Sequence, residues 1–253
     1  MNIFISGGTG FIGSHLINKI NTKKNNIYGS KRENSNPRIP LNNNLYWTST
    51  TNSSELSKFL KTCDIFIHCA AKGVSPQKLC WEDAVKFNVY DSFKLLNNAA
   101  NSGIKKFIII GSALESVGPK HKVSMDKINS PYVASKEALF HLFSSFAIEK
   151  DLEFLYIKLP NVFGEGQYQG NLWPSLRHAA INGEDFIIHN QGALKEFISI
   201  DDAVEIISKA LFSKKDQSKK INVISVPGEK KTIYEFSSYH WKKWNASGKL
   251  LFK

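Results

Sequence analysis

Tyr132 and Lys136 stand four residues apart in "SPYVASK", a spacing that puts both side chains on one face of a helix. A phenol beside an ammonium is a proton donor whose acidity the cation raises. Tyr90/Lys94 and Tyr239/Lys243 repeat the spacing, so spacing alone leaves three equivalent pairs. A second stretch with chemical potential is "GGTGFIG" at 7–13. Gly7, Gly10 and Gly13 would permit a tight turn, close backbone approach to a pyrophosphate at a helix N-terminus, and close helix–strand packing. The alternative is a glycine turn that binds nothing. The seven histidines show no ligand spacing on one helix face, and Cys63, Cys69 and Cys80 lack metal-ligand spacing, so no metal is expected. Cys63 and Cys69 read as core residues, and the setting as reducing cytoplasm.

Alternating elements are needed to position these residues. Residues 2–6 read as a buried strand, followed by a helix to Ile20 with Phe11, Ile12, Leu16, Ile17 and Ile20 on its apolar side. Further strands are expected at 25–30, 45–49, 64–71, 105–112 and 152–160. Helices are expected at 53–61 with Ser54 as cap, at 81–103 closed by Gly103, and from Pro131 to 149. This rhythm predicts an α/β fold with a Rossmann-type, doubly wound parallel sheet over residues 1–160. Residues 161–253 read as a small C-terminal substrate-binding annex, with about 196–212 packing back on the sheet. The chain is 253 residues long and 42% hydrophobic, enough for such a core, and it carries no apolar run of membrane-spanning length and no secretory leader pattern. A net charge of +11 comes from scattered lysines without interleaved aromatics. It suits an anionic small molecule better than nucleic acid.

The second strand informs the cofactor. An NAD site usually places Asp or Glu at its end to hold the adenine ribose. Here "YGSKRE" offers Ser30, Lys31 and Arg32 instead, which suit a ribose 2′-phosphate. NADP(H) is therefore favoured, with NAD(H) the alternative.

With "GGTGFIG", "DIFIHCAA", "KFNVYDSFKLL", "KKFIIIGSALESVG", "SPYVASK", "IKLPNVFGEGQ" and "KEFISIDD" in this order over residues 1–210, the chain resembles the extended short-chain dehydrogenase/reductase family of nucleotide-sugar epimerases, dehydratases and reductases. "GSALE" and "GKLLF" look most like bacterial synthases of dideoxyhexose and 6-deoxyhexose nucleotides. The resemblance selects Tyr132 among the three tyrosines, because the family's catalytic tyrosine begins the helix after the fifth strand. It implies catalytic roles for Ser112, Tyr132 and Lys136, with Ser112 also touching the substrate carbonyl. It further implies cofactor contacts from Gly7, Gly10, Phe11, Ile12, Gly13, Ala70, Ala71, Tyr132 and Lys136, and substrate contacts from Asn161 and Lys195. Tyr90 then reads as a core or subunit-contact aromatic, and Tyr239 as packing. Asp201 and Asp202 read as the start of a helix.

Departures from the family are Val117 where a tyrosine commonly stands, Lys195 for an arginine, and no aspartate after the third strand. The close after "GKLLF" implies an open pocket, a partner-completed pocket, or reduced activity. The expected function is NADPH-dependent reduction of the 4-keto group of a nucleotide-diphosphate-linked 6-deoxyhexose. The alternatives are an NAD-dependent 4-epimerase and a non-catalytic NAD(P)-binding protein. A homodimer through helices 82–103 and 131–149 is suggested by the same resemblance.

Overall fold

Runs rich in isoleucine and phenylalanine form the spine of the molecule. In the computed structural model, β1 (Asn2–Ser6), β2 (Asn26–Lys31), β3 (Leu45–Ser49), β4 (Ile65–His68), β5 (Lys106–Ser112) and β6 (Glu153–Leu159) join β10 (Ile221–Ser225) in one seven-stranded sheet. Its order is β10-β6-β5-β4-β1-β2-β3, and every pairing is parallel. The structure describes residues 1–20, 24–42, 45–50, 52–73, 79–117, 130–212 and 221–253. Residues 118–129 and the lysine-rich stretch 213–220 are among those outside the described residues.

Strand alternation sorts the core into two layers. Ile3, Ile5, Ile67, Ile108 and Ile157 face one side, where α1 (Phe11–Ile20) and α7 (Ile200–Phe212) cover them. Phe4, Phe66, Phe107, Phe154 and Tyr156 face the other, with Phe4 stacked on Phe66 at 5.1 Å and Phe66 on Phe107 at 5.9 Å. That second layer is covered by α2 (Ser53–Thr62), a composite helix, and α5 (Pro131–Glu149). The composite helix runs through α3 (Trp81–Asp83), a π-helical segment (Ala84–Asp91) and α4 (Ser92–Asn101). Asn52, not the expected Ser54, caps α2: its side chain accepts from the Glu55 N–H at 3.1 Å. Ser130 caps α5 by accepting from the Val133 N–H at 3.2 Å, with Pro131 in the first turn where its missing N–H costs nothing.

The C-terminal part holds two small sheets. β7 (Asn161–Phe163), β9 (Leu194–Ser199) and β11 (Glu229–Thr232) form one, in order β11-β9-β7; β8 (Phe186–Ile188) and β12 (Leu250–Phe252) form the other. Between α6 (Leu172–Asn182) and α8 (Ile233–Lys243), Leu176, Ala179, Ala180 and Trp241 make a separate core. The 196–212 unit divides: β9 joins the small sheet, while α7 covers the main sheet beside α1. β10 lies inside the stretch read as annex, yet it is the seventh main-sheet strand, with Ile221 and Val223 packed on the phenylalanine layer. Among the described residues, no helix is long and apolar enough to cross a membrane.

Candidate active site

Strands β1, β2, β4 and β5 end on one edge of the sheet, at Ser6, Lys31, His68 and Ser112. Strand order reverses between β1 and β4, the crevice where open α/β sheets bind their ligands. The glycine loop opens there. Gly7 has φ 71°, and a Cβ on it would lie 2.6 Å from the Ala70 nitrogen just past β4. A Cβ on Gly13 would lie 2.2 Å from the Gly7 carbonyl oxygen. The Gly10 N–H donates to the Gly7 carbonyl at 2.9 Å. The turn is therefore as tight as the sequence requires, with α1 close on β1 and its N-terminal N–H groups at the crevice. This cradle fits a dinucleotide pyrophosphate, with Phe11 and Ile12 in the first turn of α1 and Ala70 and Ala71 on the facing loop.

At the end of β2, Ser30 is buried, and Lys31 lies with its Nζ 5.9 Å from the centre of the Trp47 ring. Trp47 also packs where a Cβ on Gly8 or Gly29 would sit, so it fixes the floor of this corner. Neither Lys31 nor Arg32 pairs with a carboxylate among the described residues.

Across β4, α5 presents Tyr132 and Lys136. Lys136 is 2% exposed, and its Nζ donates to the Ile110 carbonyl at 2.7 Å, two residues before Ser112. An ammonium has three donors, so two remain. Ser112 is half-buried, and its Oγ accepts from the Leu114 N–H at 3.2 Å, leaving the hydroxyl proton free to donate. The acidity expected of Tyr132 is not what the structure shows. Burial, and then the charge of Glu115, push its phenol above the ordinary value. Lys136, its own pKa lowered by burial, directs its Nζ to the Ile110 carbonyl on β5.

Of the rival pairs, Tyr90 is 62% exposed on the π-helical segment, outside the core, and Tyr239 is 53% exposed on α8 between Lys231 and Lys243. Asn161 opens β7 two residues beyond Leu159, which pairs with Ser112. Its amide donates to the Glu196 carbonyl at 2.8 Å. Lys195 is exposed on β9, directly opposite Lys231 on β11. Both substrate candidates thus stand on the small sheet, and Lys195 has no acidic partner among the described residues. Asp202 accepts from the Ser199 hydroxyl at 2.6 Å while its N–H donates to Ser199 Oγ at 3.1 Å, a helix-start arrangement for α7.

Three further polar groups line the region without having been singled out in the sequence. Asn88 is buried in the π-helical segment; it accepts from the Lys72 N–H at 2.8 Å and donates to the Lys72 carbonyl and to Ser135 Oγ. It ties the loop after β4 to α5, and the widened helix is what aims it, a recurrent use of π-turns. His68 Nδ1 meets Ser6 Oγ at 2.7 Å, and burial, then Lys136, lower its pKa to about 3. Glu115 is 1% exposed and accepts from the Ser112 N–H at 2.6 Å and from Tyr156. Its only signal in the sequence is an acid three residues past a strand-end serine.

Comparison with known proteins gives consistent findings. The model of the NAD dependent epimerase/dehydratase family matches residues 3–224. A dTDP-D-glucose 4,6-dehydratase of Dictyostelium discoideum is 27% identical over 233 residues, covering 80% of this chain and 53% of that protein. The chain thus spans about half of that relative's length. A CDP-abequose synthase of Salmonella muenchen is 25% identical over 210 residues, covering 83% of this chain and 69% of that protein. Among solved structures, a UDP-N-acetylglucosamine 4-epimerase from Methanobrevibacter ruminantium superposes with a TM-score of 0.83 at 24% identity, covering 100% of this chain and 84% of that one. A UDP-glucuronic acid 4-epimerase from Bacillus cereus in complex with NAD gives 0.80 at 23% identity, covering 100% and 87%. These likenesses establish the doubly wound fold.

Proposed function

Because the chain belongs to the NAD dependent epimerase/dehydratase family, we propose that it reduces the 4-keto group of a nucleotide-diphosphate-linked 6-deoxyhexose with NADPH. The observation that carries the choice of reductant is the end of β2, where Ser30, Lys31 and Arg32 stand without a carboxylate partner among the described residues. Bound along the Gly7–Gly13 cradle, the cofactor would supply hydride to the ketone carbon. Tyr132 gives its phenol proton to the oxygen that becomes the hydroxyl, and Ser112 donates a hydrogen bond to that oxygen as charge develops. Lys136 has two N–H groups left for a ribose hydroxyl. Asn161 and Lys195 hold the diphosphate, the lysine as a point charge without a bidentate fork. Support for a deoxysugar substrate comes from the named CDP-abequose synthase relative.

The test mixes purified protein with NADPH or NADH and a panel of nucleotide 4-keto-6-deoxyhexoses, following the absorbance of the reduced nicotinamide. Turnover with NADPH, at least about tenfold faster than with NADH at low cofactor (a difference of about 1.4 kcal/mol), supports the reading. No loss of absorbance with any sugar sinks it. A second reading, an NAD-dependent 4-epimerase, uses the same residues, because hydride can leave and return to one carbon. Protein that purifies with tightly held, unconsumed NAD favours it, and cofactor binding without turnover favours a binding protein. We also propose a homodimer in which the composite helix and α5 meet their copies.

A further inference from the structure

We propose that Glu115 is the positioning residue of this site: a carboxylate clamped by the protein on both oxygens, fixing the Ser112 loop and setting its charge against Tyr132. This rests on reading Tyr132 as the proton donor. One oxygen accepts from the Ser112 N–H at 2.6 Å, and the other accepts from the Tyr156 hydroxyl. Gly111 makes this possible, because any Cβ there would lie 2.3 Å from the Tyr156 ring, which occupies that space beneath the loop. The loop's carbonyls are held as firmly as its N–H groups. Lys158 Nζ, 2% exposed, donates to the Glu115 carbonyl at 2.5 Å and to the Val117 carbonyl at 3.3 Å. Glu137 on α5 accepts from the Ser116 N–H at 2.5 Å. Buried polar groups this fully satisfied specify one arrangement. Here they define the backbone that aims Ser112.

Its charge has a second consequence. The ionisable groups around it come from three elements: Tyr156 and Lys158 on β6, Tyr132, Lys136 and Glu137 on α5, and His68 and Cys69 at the end of β4, which interact with Lys136. Burial raises the pKa of Glu115 above the ordinary carboxylate value, and the cation Lys136, the two clamping hydrogen bonds and Lys158 oppose that shift and favour the ionised form. Ionised Glu115 opposes loss of the Tyr132 proton and favours retention of the Lys136 proton. The carboxylate thereby holds Tyr132 in the form that donates, which is the form a ketone reduction needs.

Ultraviolet phenolate titration of wild type, Tyr132→Phe, Glu115→Gln and the double variant isolates Tyr132 as the difference within each pair. In wild type Tyr132 is expected to stay protonated past about pH 10, the value of a free tyrosine. Glu115→Gln keeps the clamp's shape while removing its charge, and should lower the Tyr132 midpoint by about one unit. The alkaline limb of kcat should move down with it, kcat falling more than KM rises, and Glu115→Asp should restore the limb. An unmoved or raised midpoint in Glu115→Gln overturns the proposal. If that variant fails to fold by circular dichroism, the wild-type pair decides: a Tyr132 midpoint at or below the free value overturns it, and one above supports it. The titration needs no substrate, so absence of turnover would overturn the reductase reading while leaving this one to be decided by the midpoint alone.

Discussion

Tyr132 is the group on which the proposed chemistry rests, and its neighbours limit what it can do. A ketone oxygen that gains charge must receive a proton and a hydrogen bond, and α5 and β5 bring one of each from Tyr132 and Ser112. Replacing Tyr132 by Phe should lower kcat by about 10²–10⁴-fold, the range for losing a positioned proton donor. Dinucleotide affinity should stay within a few-fold, because the Gly7–Gly13 cradle is untouched. Steady-state kinetics beside a cofactor titration checks both halves, and a variant that keeps most of its turnover removes Tyr132 from the reaction. At this scale the glycine turn was legible from local spacing, whereas Tyr132 and Lys136 were one of three equivalent pairs until the family resemblance singled them out. Glu115, Asn88 and His68 were not: each acts through partners 16 to 62 residues away, such as Lys72, Tyr156 and Ser6, which only the folded sheet brings close. The lowered acidity of Tyr132 was also hidden, because spacing shows the nearby cation and says nothing of burial.

At the scale of elements, the β1–α1 turn is the most demanding joint. An added methyl at Gly13 would lie 2.2 Å from the Gly7 carbonyl oxygen, and the obstacle is backbone, which cannot swing aside as a flexible side chain can. Gly13→Ala should push α1 off β1 and weaken dinucleotide binding by more than tenfold, a change above about 1.4 kcal/mol. Tm should fall as well, because Leu16, Ile17 and Ile20 leave their places against the isoleucine layer. Calorimetric titration with NADPH checks this, and wild-type affinity would mean that the cradle does not hold the pyrophosphate. The alternation that predicts this joint was readable because each strand–helix pair is local. β10 was not, because its "INVIS" lies about sixty residues beyond β6, and nothing local distinguishes a main-sheet edge strand from one in a small sheet. The Ser54 cap was misplaced for a simpler reason: several polar residues precede α2, and only backbone geometry decides that Asn52 supplies the acceptor.

For the whole molecule, two expectations reach beyond any one element. The composite helix leaves Trp81, Val85 and Tyr90 at 55%, 57% and 62% exposure, and α5 leaves Leu142 and Ile148 at 49% and 57%. Large apolar side chains on adjacent helices suit a self-complementary contact, so sedimentation should show a dimer that Val85→Asp dissociates without loss of NADPH binding. A wild-type monomer at micromolar concentration removes the proposed contact. The second expectation concerns acid. His68 is buried and neutral, its pKa lowered from 6.5 to about 3 by burial and then by Lys136, and His240 is lowered to about 4, again chiefly by burial. In each case the folded value lies below the unfolded one, so between the two the unfolded chain binds a proton that the folded chain lacks. Their contribution is complete above about pH 6.5 and is lost as pH falls toward 4 for His240 and toward 3 for His68. Each histidine steepens the decline by up to about 1.4 kcal/mol per pH unit. Urea midpoints should therefore drop between neutral pH and about pH 5. His68→Gln, which keeps a polar partner for Ser6 but cannot titrate, should flatten that slope by up to one histidine's share. An unchanged slope in His68→Gln would show that His68 keeps its proton in the folded state and is not the acid-sensitive group of the core.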